Sequence, residues 1–138
     1  MEMNEAYPRI VIELAEEYGY SLQIARGLKR YRVKRPNWIF LRCATELLHH
    51  LEPGSLMGAI GHFFNKAQLR ALKDNRVPFY VSVSGRGEDD WWPRIIPDDH
   101  AIGRMAAEYF LKKGYRHFGV SDLGKMRFAV ERTEGFRE

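Results

Sequence analysis

The chain has 138 residues, of which 45% are hydrophobic and 29% charged, and its net charge at pH 7 is +4. This length and composition fit one folded domain with a substantial hydrophobic core and exclude general disorder. No apolar run approaches the ~18 residues that a membrane span needs, and the N-terminal residues lack the apolar region of a signal peptide. Cys43 is the only cysteine, which excludes an intramolecular disulfide. We therefore expect a cytoplasmic protein without a membrane partner.

The first 83 residues alternate predicted strands with predicted helices. After a lead-in over residues 1–8, apolar runs predict strands over residues 9–15, 38–43, 56–60 and 77–83. Helical spacing predicts helices over residues 22–33, 45–51 and 66–75, with Ser21 and Asn65 as N-cap residues. This alternation predicts an α/β fold with an open, doubly wound parallel sheet.

The stretch that follows predicts a second strand–helix–strand unit. Ile95 and Ile96 form a short apolar run, Asp98 offers an N-cap oxygen, and Gly114 suits the left-handed residue that ends a helix. Between them, apolar residues recur at three- and four-residue spacing. A further strand over residues 117–120 and a helix over residues 126–138 are predicted after Gly114.

The order of residue types in this unit resembles a segment of the sugar-binding regulators related to the lactose and purine repressors. The segment is carried by Asp99, Gly103, Ala106 or Ala107, Phe110 or Leu111, Gly114, Tyr115, Arg116 and Phe118. The chain also resembles the xylose-operon activator group, which joins a periplasmic-binding-protein-like sugar-binding fold to a C-terminal DNA-binding domain of the arabinose-regulator type. The resemblance covers residues 9 to 136. It implies an N-terminal lobe over residues 9–116 and the beginning of a second lobe over residues 117–138.

The sequence shows no arrangement of catalytic or metal-binding residues. Phosphate-binding, zinc-protease and nucleophile-elbow motifs are absent, and Gly19 stands alone where a dinucleotide fingerprint would need three glycines. His49 and His50 are adjacent on a predicted helix and point in different directions. We therefore expect no enzyme activity, no cofactor and no metal.

Binding of a sugar needs carboxylates, amides or an arginine for hydroxyl groups and an aromatic face for the ring. In a doubly wound sheet, ligands bind outside the carboxyl ends of the strands, which selects the loops there. Those loops provide the candidate ligand-binding residues Tyr18, Tyr20, Asp89, Trp91, Asp122 and Arg127. Alternatives stay open, because Tyr18 can pack beneath its loop, Asp89 can be a solvated loop acid, and Trp91 can cover the sheet or a dimer surface.

A second motif lies at the end of the chain. Arg132, Gly135 and Phe136 match an "R-x-x-G-[FWY]" element that opens the first helix of the second lobe in the regulators named above. The resemblance implies that Arg132 contacts the ligand through its paired N–H donors. A surface arginine on a short helix is the alternative interpretation.

Two departures from the family pattern are evident. The chain ends just inside the expected second lobe, and it has no helix-turn-helix. We interpret it as a fragment of a regulator that senses a small sugar, a pentose such as xylose by the resemblance, and that contacts operator DNA only through a C-terminal domain. Because apolar residues of 117–138 would otherwise face water, we expect a homodimer that exchanges or packs this segment.

Two rival interpretations involve other classes of protein. An enzyme on a flavodoxin-like or dehydrogenase-like sheet would need a phosphate-binding loop after the first strand, where two acidic residues would repel phosphate. A solute-binding protein of the same superfamily would need an export signal. The basic run over residues 29–35 indicates a solvated helix end or, alternatively, a nucleic-acid contact without a recognisable motif.

Overall fold

The computed structural model describes residues 7–14, 19–63, 65–84, 93–121, 124 and 126–138. The chain divides into two compact units. Among the described residues, the first unit runs to Ser84 and includes Pro93 and Arg94, and the second runs from Ile95 to Glu138. The helix Asp99–Lys112, which we expected to belong with the first lobe, lies in the second unit. The predicted lobe boundary after residue 116 remains a prediction.

The first unit is a parallel sheet with helical connections. Its strands are β1 (Arg9–Glu13), β2 (Ile39–Arg42), β3 (Gly58–Gly61) and β4 (Phe79–Ser82). They are connected by α1 (Gly19–Lys34), a 3₁₀ helix (Thr45–His50) and α2 (Lys66–Asp74). The strand order is β2-β1-β3-β4 and every pairing is parallel, which confirms the predicted open, doubly wound α/β sheet.

The core of this unit lies against the 3₁₀ helix and α2. Right-handed connections place α1 on one face of the sheet and the other two helices on the opposite face. The buried apolar side chains that pack together there are Val11, Leu48, Leu56, Ala59, Phe63, Leu72 and Val77. Asn65 caps α2 as predicted, because its Oδ1 accepts a hydrogen bond from the Gln68 N–H at 2.9 Å.

The second unit contains α3 (Asp99–Lys112) and α4 (Arg127–Arg137), which pack on each other. Asp98 caps α3, since its Oδ1 accepts a hydrogen bond from the Ala101 N–H at 2.8 Å. Gly114 follows the end of α3 with a φ of +90°, the left-handed conformation that a glycine adopts without strain. Both of these sequence predictions are confirmed.

Three predictions of secondary structure are wrong. Ser21 is not an N-cap, because α1 already begins at Gly19 and Ser21 lies inside it. Residues 95 and 96 form no strand; only an isolated bridge joins Arg94 to Ser82. Residues 117–120 are exposed and not in a strand, because no strand of the described residues pairs with them.

Candidate functional site

The ends of β1 and β3 form the point at which the strand order reverses. From β1 the chain crosses to β2 on one side, whereas β3 is followed by β4 on the other side. The connections that leave β1 and β3 therefore go to opposite faces of the sheet, and in doubly wound sheets this is the position at which ligands bind. This edge of the sheet is the candidate functional site of the first unit.

Side chains from three connections meet at this edge. The Ser21 Oγ lies 2.8 Å from the His62 Nε2, which joins the first turn of α1 to the residue after β3. The Tyr20 hydroxyl donates a hydrogen bond to the Val83 carbonyl, after β4, at 3.2 Å. The Tyr20 and His62 rings are tilted against each other with centroids 6.1 Å apart. We call Tyr20, Ser21, His62 and Gln68 the strand-end set.

Within the strand-end set, Gln68 is the residue that connects His62 to the end of β1. Its Nε2 donates to the Glu13 Oε1 at 3.0 Å and to the His62 carbonyl at 3.3 Å. Glu13 also accepts a hydrogen bond from the Thr45 N–H at 2.9 Å. Burial raises the pKa of the Glu13 carboxyl above its ordinary value of 4.5, although the bonds from Thr45 and Gln68 oppose the rise. The result is a hydrogen-bonded frame that fixes the position of His62.

Within this hydrogen-bonded frame, some side chains are buried and others are accessible to a ligand. Ser21 is fully buried and Gln68 is 3% exposed, whereas Tyr20 is 42% exposed. A ligand at this edge would therefore meet the Tyr20 ring and the His62 imidazole, while Ser21 and Gln68 hold them in place. An aromatic face beside polar donors and acceptors is the combination that suits a sugar.

The second unit contains a separate ionic pair. The Arg132 Nε and one terminal nitrogen each lie 2.7 Å from the Asp99 Oδ1. Asp99 is 3% exposed, whereas the Arg132 side chain is 45% exposed. The guanidinium carbon also lies 5.3 Å from the centre of the Phe128 ring. The pair ties the first turn of α3 to α4 and leaves part of the arginine open to solvent.

The structure describes three of the seven predicted ligand-binding residues, Tyr20, Arg127 and Arg132. Tyr20 lies in the strand-end set. Arg127 donates to the Glu131 Oε1 at 2.7 Å, one turn along α4, and Arg132 pairs with Asp99 as above. The other four, namely Tyr18, Asp89, Trp91 and Asp122, lie outside the described residues.

Sequence reasoning did not identify His62 and Gln68 as site residues. His62 lies in a strand-end loop that the sheet rule selects, so its position carried a usable signal. Gln68 lies inside a helix, and nothing local in the sequence marks it. In the described part of the chain there is no cluster of three potential metal ligands. No helix of that part is long and apolar enough to cross a membrane.

Comparison with known proteins gives similarity of structure only. No protein-family model and no curated protein matches the sequence. The transcription regulator CcpA of Lactococcus lactis superposes with a TM-score of 0.72 over 96% of this chain at 16% identity. A transcription regulator from Lactobacillus plantarum gives 0.71 over 93% at 22% identity, and a transcription-regulator-like protein from Staphylococcus haemolyticus gives 0.66 over 94% at 15% identity.

The chain spans about half the length of these proteins, with 52%, 49% and 54% of their chains covered. Identities of this size carry information about the fold and none about the ligand. The chain thus has the periplasmic-binding-protein-like α/β fold that these regulator structures share.

Proposed function

We propose that this chain is part of the effector-binding region of a transcription regulator and that its effector is a small sugar. The observation that supports the proposal best is the strand-end set, in which an accessible tyrosine ring and a fixed imidazole lie where a doubly wound sheet binds its ligands. The solved structures of similar fold are transcription regulators, which agrees with this role. We propose no catalytic step.

The finer proposals rest on the family resemblance. They are a pentose such as xylose as the effector, an arabinose-regulator-type domain as the DNA-binding part, and Arg132 as a ligand contact. In such a regulator, a sugar shifts the DNA-bound population only if it binds two conformations with different affinity. The Arg132 guanidinium is partly open and already paired with Asp99, so its free N–H groups are oriented for a second acceptor.

The test is a titration of the 138-residue chain with a sugar, in which binding is measured through changes in the amide NMR chemical shifts. Because the chain spans half of the similar structures, we expect a weak Kd, on the order of 1 mM, for D-xylose. Shift changes should concentrate at residues 19–21 and 61–63. Hexoses and mannitol serve as competing ligands that report specificity.

Two tyrosines of α1 offer a matched pair of variants. Tyr20 is 42% exposed and lies at the strand ends, whereas Tyr31 is 43% exposed and packs against Trp38. Tyr20→Ala should weaken xylose binding at least about tenfold, and Tyr31→Ala should leave it unchanged. Arg132→Lys, tested separately, keeps the charge and loses the paired donors. No localised shifts with any sugar up to about 0.1 M, a hundredfold excess over that Kd, would refute the proposal.

We also propose that the chain self-associates through its second unit. Phe118, Val120 and Val130 are 43%, 47% and 41% exposed, and Met105 is 66% exposed. Exposed apolar side chains on the two packed helices (Met105 and Val130) and on the segment between them (Phe118 and Val120) favour burial against another surface. A second copy of the chain is the partner that we propose for them.

A further inference from the structure

The positive charge of the chain is concentrated in one segment. Residues 18–45 contain seven basic residues and no acidic residue, a charge of +7. The remainder of the chain has 15 basic and 18 acidic residues, a charge of −3, and the two add to the net +4. Helix α1 occupies most of this segment. Its sequence contains no Asp or Glu, so no pairing within the helix can neutralise it.

Four of these basic residues share one side of α1, namely Arg26, Lys29, Arg30 and Lys34. We call them the basic face. At 3.6 residues per turn they lie within about 140° of the helix circumference. All four are exposed. The half-buried residues Ile24 and Leu28 lie on the opposite side, so packing on the sheet turns the basic face to solvent.

The basic face has no counter-charge in the described part of the chain. None of its four side chains forms an ion pair with a described carboxylate. Arg26, Arg30 and Lys34 follow one another at four-residue steps, about 6 Å along the helix axis. Such a row presents guanidinium and ammonium groups to a linear array of anions.

We propose that the basic face binds the phosphate backbone of double-stranded DNA without reading its sequence. Phosphate contacts need only exposed cations, and arginine binds phosphate through two donors. An anionic membrane fits less well, because insertion requires a continuous apolar helix face, whereas the side of the basic face exposes only two separated apolar residues, Leu22 and Val33. A protein partner also fits less well, because the four residues surround no aromatic anchor of the kind on which tight protein interfaces depend. This inference is independent of the sugar-binding role.

The charge count sets the size of the effect. Four phosphate contacts predict that log Kobs falls with log salt concentration with a slope of about −3.6, which is about −0.9 for each contact. The Kd near physiological salt should be in the non-specific range, on the order of 10⁻⁴ to 10⁻⁶ M. Each neutralised residue removes one phosphate contact and should therefore reduce the magnitude of the slope by about 0.9.

The experiment measures fluorescence anisotropy of a labelled duplex of mixed sequence as the salt concentration is varied. The test variant is R26Q/K29Q/R30Q/K34Q. The control variant is R70Q/K73Q/R104Q/K112Q, which neutralises four exposed residues on α2 and α3 and equally lowers the net charge from +4 to 0. Glutamine keeps helix propensity nearly unchanged, and circular dichroism verifies the helix content of both variants.

We expect the test variant to lose at least about tenfold in affinity and most of the salt slope, while the control stays within about threefold of the original chain. Three results would overturn the proposal. They are no binding at low salt, an equal loss in the control variant, and tighter binding to phosphatidylserine vesicles or polyglutamate than to DNA at the same anion concentration. The last result would assign the face to a membrane or to an acidic protein.

Discussion

Replacing Gly103 by alanine should separate α3 from α4. A Cβ at this position would lie 2.0 Å from the Arg132 carbonyl oxygen and 2.9 Å from the Phe136 nitrogen. Ordinary contact begins near 3.4 Å, so the backbones must part by about 1.4 Å, which is 3.4 minus 2.0. Overpacking of this kind costs about 1–3 kcal/mol. Parting also strains the pairing of Asp99 with Arg132, whose loss costs about 3–5 kcal/mol when a buried charge is left alone.

Because the pair is strained and not lost, we take about half of its energy, roughly 2 kcal/mol, in addition to the overpacking cost of about 1–3 kcal/mol. Alanine regains about 1 kcal/mol over glycine through helix propensity, which leaves a net loss of about 2–4 kcal/mol. Amide hydrogen exchange in α3 and α4 measures it locally, and the predicted loss corresponds to roughly 30- to 1,000-fold faster exchange. Gly27→Ala in α1 is the control, because a Cβ there meets nothing within 4 Å. It should stabilise α1 by up to about 1 kcal/mol. Exchange in the Gly103→Ala chain as slow as in the original would refute the described helix crossing.

Two further predictions concern pH and association. Burial raises the pKa of Glu13 above 4.5, so over a window above that value the folded chain holds a proton that the unfolded chain has lost. Its contribution to stability is fully present below pH 4.5 and is lost as pH rises through the folded pKa. Glu13→Gln should therefore flatten the plot of urea midpoint against pH in this window. The control is Glu52→Gln, at an exposed position, which should leave the plot unchanged. Parallel plots for Glu13→Gln and the original chain would contradict the prediction. For self-association, sedimentation should show a dimer at high protein concentration, and Met105→Glu together with Val130→Glu should shift it to monomer. A monomer at all concentrations would disprove association through the second unit.

Most elements of the fold could be predicted because their signals are local. Apolar runs identified all four strands of the sheet, and the caps Asp98 and Asn65 are confirmed because a cap bonds to a backbone N–H three residues away. Ser21 shows the limit of this reasoning. Its type suits a cap, yet its hydroxyl is bonded to His62, 41 residues away, and it lies inside α1. Local pattern contains no information about that partner.

The candidate site was harder to predict because it depends on strand order. The sequence predicts which connections follow strands, and the structure places Tyr20 in the first turn of α1, in the connection that follows β1. It does not show that β3 lies beside β1, which is what brings His62 to Ser21 and Tyr20. Gln68 lies on α2 and reaches the site only because α2 passes the carboxyl end of β1, where the Gln68 amide donates a hydrogen bond to Glu13. Contacts between such distant positions are a property of topology.

The segment 117–120 failed as a strand for a related physical reason. Its apolar residues have the composition of a strand, but a strand exists only when its N–H and C=O groups pair with a neighbour. The described residues provide none, and Phe118 instead packs between Phe110 and Phe136, with ring centres 6.3 and 5.6 Å away. Phe118 and Val120 nevertheless remain 43% and 47% exposed, so this packing buries the apolar side chains of the segment only in part.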